Sequence, residues 1–317
     1  MLPHIEEVPS APVDCREAEI HQPSSPLIES VDALLPSAMA KKAENIGVHK
    51  ANMSLTRMFV LAVLAGAFIS LGAAFSTTVS AGAAGKLPFG VVRLLSGVTF
   101  SLGLVLVLVG GAELFTGNNL IVMAWAGGKV PTSSLLRNWG IVYAGNLVGA
   151  LGTVALVYLG GQVTFGDGAV GAAALKIAES KCSLSFHQAI ASGILCNALV
   201  CLAVWLTFSA RNTTDRILAI VPPITAFVAC GFEHSIANMY FIPMGLLIKA
   251  GVSSDFWQAV GMKPEDLPHL TWGNGILNNL LPVTIGNIVG GSLLVGLVYW
   301  FVYLRSAQLQ SPGSKVL

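Results

Sequence analysis

The sequence predicts an all-α membrane protein: six transmembrane helices in two inverted three-helix repeats, with helices 2 and 5 broken near their centres. Three observations carry this. The 317 residues are 54% hydrophobic and 10% charged, with a mean hydropathy of +0.73, too few charges to clothe a water-soluble surface. Six long apolar segments follow residue 57, each near or beyond the roughly 20 residues that cross a hydrocarbon core of about 30 Å. Two of these segments carry the same polar interruption, G-x-E-x-x-x-x-N.

Along the chain, residues 1-30 are rich in Pro, Ser and Glu without apolar periodicity, and are expected to be a disordered cytoplasmic tail. No basic stretch followed by an apolar run marks a cleavable signal. In 31-56, Leu34, Leu35, Ala38, Met39, Ile46 and Val48 recur near helical spacing, with Lys41, Lys42 and Glu44 between them. That pattern predicts an amphipathic interfacial helix lying against the membrane surface. The transmembrane domain occupies 57-305, with spans at 58-79, 91-125, 139-160, 185-208, 217-248 and 275-304, and 306-317 forms a C-terminal cytoplasmic tail. With the N-terminus inside, eleven of the seventeen Lys and Arg residues fall on the cytoplasmic side, so both termini are expected there.

The interruptions reveal an internal repeat. Gly111, Glu113 and Asn118 in the second span match Gly231, Glu233 and Asn238 in the fifth. Gly145, Asn146 and Gly149 in the third match Gly286, Asn287 and Gly290 in the sixth, and Phe59, Ala62 and Gly66 in the first match Phe186, Ala189 and Gly193 in the fourth. Three spans per copy put the second copy into the membrane in the opposite sense, so the two breaks meet near the midplane. Irregular backbone at that depth must be buried in protein or line a wet cavity. Half-helix N-termini there point positive ends inward, which favours an anion.

Other chemistries are disfavoured. A net charge of +1 without clustered Lys and Arg gives nucleic acid nothing to bind. Cys15, Cys182, Cys196, Cys201 and Cys230 have neither CxxC pairing nor metal-ligand spacing, so no metal and no cofactor is expected. There is no HExxH, GxSxG or Gly-rich phosphate loop, and the chain is not expected to be an enzyme. His234 is the only histidine deep in an apolar span, and intramembrane ionisable groups are functional by default. It is expected to face a pathway and to give a passing anion a hydrogen bond or a proton. Glu113 and Glu233, with Asn118 and Asn238, read as structural: each carboxylate would take up exposed N–H groups at its break. Thr116 fits equally an N-cap for the second half-helix or a donor to the anion. The small residues at 145, 149, 286, 290 and 291 read as close-packing faces between helices.

At these interruptions the chain resembles the formate/nitrite transporter family. The likeness is carried by GAELFTGN (111-118), GFEHSIANMYFIPMG (231-245) and PVTIGNIVGG (282-291), with support from LPSAMAKKAENIGVHKA (35-51), NWGIVYAGNLVGAL (138-151) and HLTWGNGILNNLLP (269-282). It covers about residues 32-305. The chain departs from it in its longer N-terminal tail and in Glu113, which stands where an Asp is expected. The resemblance implies a homopentamer of aquaporin-like protomers in the inner (cytoplasmic) membrane of the cell, passing formate as anion or neutral acid, with nitrite or hydrosulfide as the alternative cargo. It also implies roles. Leu114, Phe115 and Thr116 match a mobile loop, with Leu104 and Phe115 at the cytoplasmic constriction. Phe100 and Phe227 match the periplasmic constriction, His234 the pore histidine, and Lys181 and Asn197 polar residues of the outer vestibule and of the histidine's surroundings.

Overall fold

Lipid offers no hydrogen bonds, so an apolar run of this length satisfies its own N–H and C=O groups by becoming helix. The computed structural model describes residues 32–305. The expected tails at 1-30 and 306-317 lie outside them. Among the described residues, helix α1 (Pro36–Ala51) leads into α2 (Leu55–Ser80) and α3 (Phe89–Gly110). A 3-10 turn (Gly117–Ile121) and the short α4 (Val122–Ala126) complete the second span, and α5 (Thr132–Leu159) forms the third. The second half runs α6 (Ala169–Cys182), α7 (Phe186–Ser209), α8 (Thr213–Cys230), α9 (Ser235–Gly251), a short α10 (Ser254–Val260) and a last span, Trp272–Tyr303. Six of these helices are long and apolar enough to cross a membrane.

Both interrupted spans break where their sequences predict. Helix α3 ends on Gly111 (φ 83) and α8 on Gly231 (φ 74), left-handed conformations that a glycine adopts without strain. A few non-helical residues follow, and helix then resumes at Gly117 and at Ser235. The last span contains two π-helical stretches, Gly275–Leu280 and Val289–Leu297, of which the sequence gives no sign.

The paired glycines bring helices into near-backbone contact. A Cβ on Gly149 would collide with Val63 O, and one on Gly145 would lie 2.5 Å from Ala62 Cβ, so α5 presses on α2. In the second half a Cβ on Gly290 would collide with Ile194 O and one on Gly193 would lie 2.8 Å from Val283 O, so the last span presses on α7. Such crossings rest on van der Waals contact, because lipid supplies no hydrophobic drive between spans. Between the third and last spans, the Tyr143 hydroxyl and Thr284 Oγ1 are 3.0 Å apart. These residues occupy matching places, three before Asn146 and three before Asn287, so the internal symmetry axis passes between them.

Helix α1 turns its small and apolar face onto the rest of the protein. Its small and apolar residues Met39, Ala40, Ala43, Gly47 and Ala51 are buried, and a Cβ on Gly47 would lie 3.1 Å from Ala124 Cβ of α4. Buried Glu44 pairs with Lys129 at 2.5 Å. The helix packs on the second half of the broken span, as α6 packs on α9. The repeat therefore has one element more than the sequence reveals, and α1 and α6 are its first members.

Candidate permeation site

The site begins with the backbone that two broken helices leave unpaired. Buried N–H groups are costly without partners, and the asparagine of each G-N motif supplies one. The Phe115 N–H donates to Asn146 Oδ1 (3.0 Å), while Asn146 Nδ2 donates to Glu113 O (2.9 Å) and Ala62 O (2.7 Å). In the second copy the Ser235 N–H donates to Asn287 Oδ1 (2.9 Å), and Asn287 Nδ2 donates to Glu233 O (3.0 Å) and Gly193 O (2.8 Å).

The two glutamates do not take up backbone N–H groups as expected; lysine and asparagine side chains hold them instead. Lys50 Nζ, from the end of α1, is 2.7 Å from Glu113 Oε1, and Asn118 Nδ2 donates to Oε2 at 2.7 Å. Asn138 closes the ring, accepting from Asn118 (2.9 Å) and donating to Lys50 O (3.1 Å). The second copy repeats this. Lys181 Nζ, from the end of α6, is 2.9 Å from Glu233 Oε1, Asn238 donates to Oε2 (2.6 Å), and Asn279 donates to Oε2 and to Lys181 O, both at 3.0 Å. The copies are not identical: Lys50 also donates to Asn118 Oδ1 (3.0 Å), whereas Lys181 lies 5.2 Å above the Phe241 ring, and Asn279 Nδ2 bonds the carboxylate itself where Asn138 Nδ2 reaches Met58 Sδ (3.7 Å).

A cavity opens on each network. On the α1 side, a cavity of about 280 Å³ is lined by Leu104 and Leu114 and carries Lys42, Lys50 and Arg216 against the single carboxylate of Glu113. Burial, then the nearby Arg216 and Arg211 charges, hold the Lys42 pKa below the ordinary lysine value. On the α6 side, a cavity of about 360 Å³ is lined by Phe100, Phe227 and His234 and carries Arg93, Lys176 and Lys181 against Glu233. Each mouth thus holds three cations and one carboxylate, a balance that concentrates anions.

Between the cavities lies one polar contact. Thr116 is fully buried, and its Oγ1 is 2.9 Å from His234 Nε2. The Ala237 N–H donates to His234 Nδ1 (3.1 Å), so the neutral ring, assigned from this network, carries its proton on Nε2 and donates to Thr116. Of the two roles open to Thr116, the hydroxyl makes no helix cap. The imidazole stacks on Phe227 (5.9 Å), which meets Phe100 edge-on (5.6 Å).

Phe115 and Asn197 lie beside Thr116. Phe115 lines neither cavity; its ring packs on Tyr143 (5.0 Å) and Trp139 (6.2 Å). Asn197 lies behind Thr116 and braces it, donating to Thr116 O (3.2 Å), Asn119 Oδ1 (2.8 Å) and Asn287 O (2.7 Å). Sequence reasoning missed Lys50, Asn138 and Asn279. The signal for Lys50 was its place next to last in α1, matching Lys181 next to last in α6.

Comparison with known proteins agrees with this architecture. The profile described as "Formate/nitrite transporter" matches residues 37–301. The chain is 50% identical over 274 residues to the formate channel FocA of Escherichia coli (strain K12), covering 86% of this chain and 96% of that one. It is 40% identical over 264 residues to the formate channel FocA of Haemophilus influenzae, covering 83% and 93%. Among solved structures, a pentameric formate channel with formate bound aligns with a TM-score of 0.75 at 45% identity, over 79% of this chain and 98% of that one.

Proposed function

Because the chain belongs to the formate/nitrite transporter family, we propose that it is a homopentameric formate channel of the cytoplasmic membrane, each protomer with its own pore. Relatives named for formate, at up to half identity, favour formate over nitrite or hydrosulfide as the cargo. The excess of Lys and Arg supports a cytoplasmic side for both termini, and so for the α1 mouth.

The carrying observation is the His234–Thr116 contact between two cation-rich cavities. Formate drawn into either mouth meets an apolar constriction, of Leu104 and Leu114 on one side and Phe100 and Phe227 on the other. A bare carboxylate pays heavily to cross it. When the central contact opens, a formate oxygen replaces Thr116 Oγ1 as acceptor for the Nε2–H, and the freed hydroxyl can donate to the same anion. Because Nδ1 is occupied by the Ala237 N–H, an imidazolium would bring two protons together there. The geometry therefore favours a donated hydrogen bond over a lent proton.

The test is flux of formate, nitrite, hydrosulfide and lactate into liposomes across pH, for wild type and His234→Asn. The shorter carboxamide cannot present a donor where the Nε2–H stands, which should lower formate flux roughly ten- to hundred-fold. Unaltered rate and pH dependence in His234→Asn would remove the imidazole from the mechanism.

A further inference from the structure

Half-helix α8 ends in the wall of the α6-side cavity, where Val228 and Gly231 are lining residues. The last carbonyls of a helix carry about half a negative charge, which is the wrong sign to meet an incoming anion. Arg93 reaches across from α3 and covers that end: its Nε donates to Ala229 O (2.9 Å) and its Nη2 to Val228 O. A Cβ on Gly231 would lie 3.2 Å from Nη2, so the left-handed cap and the guanidinium are fitted to each other. The clamped carbonyls directly follow Phe227, whose ring touches both Phe100 and His234. The backbone at the matching end of α3 is capped alike, Val107 O taking the N–H groups of Gly111 and Ala112 as Phe227 O takes those of Gly231 and Phe232, but among the described residues no side chain is seen to clamp the carbonyls of 107–110.

We propose that Arg93 is a positioning residue that sets anion entry at the α6-side mouth, by cancelling the negative pole of half-helix α8 and pinning the turn that carries Phe227. The guanidinium suits both tasks, since it is permanently charged and its planar fork spans two adjacent carbonyls. Lys181 and Lys176 share the cavity, but Lys181 is committed to Glu233. The guanidinium therefore fixes charge at this mouth on the end of a half-helix rather than on a carboxylate. This inference rests on the transport reading above.

The experiment compares wild type, R93Q and R93K as full-length protein in right-side-out and inverted membrane vesicles, reading initial formate uptake at about 50 mM and about 500 mM background salt. In R93Q, uptake entering through the α6 mouth should fall about two- to five-fold at low salt, with the deficit fading at high salt. Entry through the α1 mouth should change less. R93K, which keeps charge but not the fork, should keep the wild-type salt dependence at a lower maximal flux. An R93Q deficit equal from both sides and at both salts would reduce Arg93 to a fold-holding residue and overturn the proposal. If R93Q does not assemble, R93K decides alone, and wild-type flux at every salt would overturn it. A wild type that carries no formate would instead overturn the transport reading itself.

Discussion

Thr116 precedes a helical turn that its hydroxyl does not cap, and that hydroxyl meets one imidazole instead. Thr116→Val keeps the shape and removes the acceptor, leaving the His234 Nε2–H buried and unpaired at a cost of about 1–3 kcal/mol. The expected outcome is a lower thermal midpoint in detergent together with reduced formate flux, and Thr116→Ser should recover both. The Lys181–Glu233 pair calls for a cycle of mutants. Both side chains are largely buried, at 13% and 8% exposure, so Lys181→Ala strands a carboxylate and should destabilise by about 3–5 kcal/mol. Adding Glu233→Gln should restore much of that, while any remaining flux defect should fade with salt. Residue identity at the breaks was legible from sequence, because Glu113, Asn118, Glu233 and Asn238 repeat at fixed spacing. Lys50 was not. It stands 63 residues before Glu113, and a lysine on an amphipathic helix reads as a solvated charge until that helix is folded against the break.

At the scale of elements, hydropathy located every span and the repeated motif located both breaks, since lipid forces helix wherever backbone is not otherwise served. The π-helical stretches of the last span escaped notice because a widened turn has no residue signature of its own. The docking of α1 escaped for a related reason: apolar periodicity reveals a buried face but not what buries it. The glycine crossings give the sharpest test of packing. Gly149→Ala and Gly290→Ala place a methyl group on a facing carbonyl oxygen and should sharply lower the yield of folded protein by size-exclusion chromatography. Gly152→Ala, three residues along the same helix with nothing within 4 Å, should leave yield unchanged.

For the whole molecule, the decisive property is sign. Both mouths present more positive than negative side chains, and a half-helix resumes from each break, so cations should be turned away at either end. With a sodium formate gradient across a planar bilayer, the zero-current voltage should therefore sit near the formate equilibrium value. A value near that of sodium would contradict the charge balance. The antiparallel duplication was legible before any coordinates, because an odd number of spans per copy leaves no other arrangement. The closure of its first elements, α1 and α6, over the two networks was not legible, since it depends on side chains meeting across the fold.

The Tyr143–Thr284 hydrogen bond acquires a particular meaning from its location. Equivalent places in the two copies meet there, so a change at that point touches both halves of the protein alike. Tyr143→Phe should accordingly alter inward and outward formate currents in the same proportion, unlike a change at Arg93, which tilts one against the other.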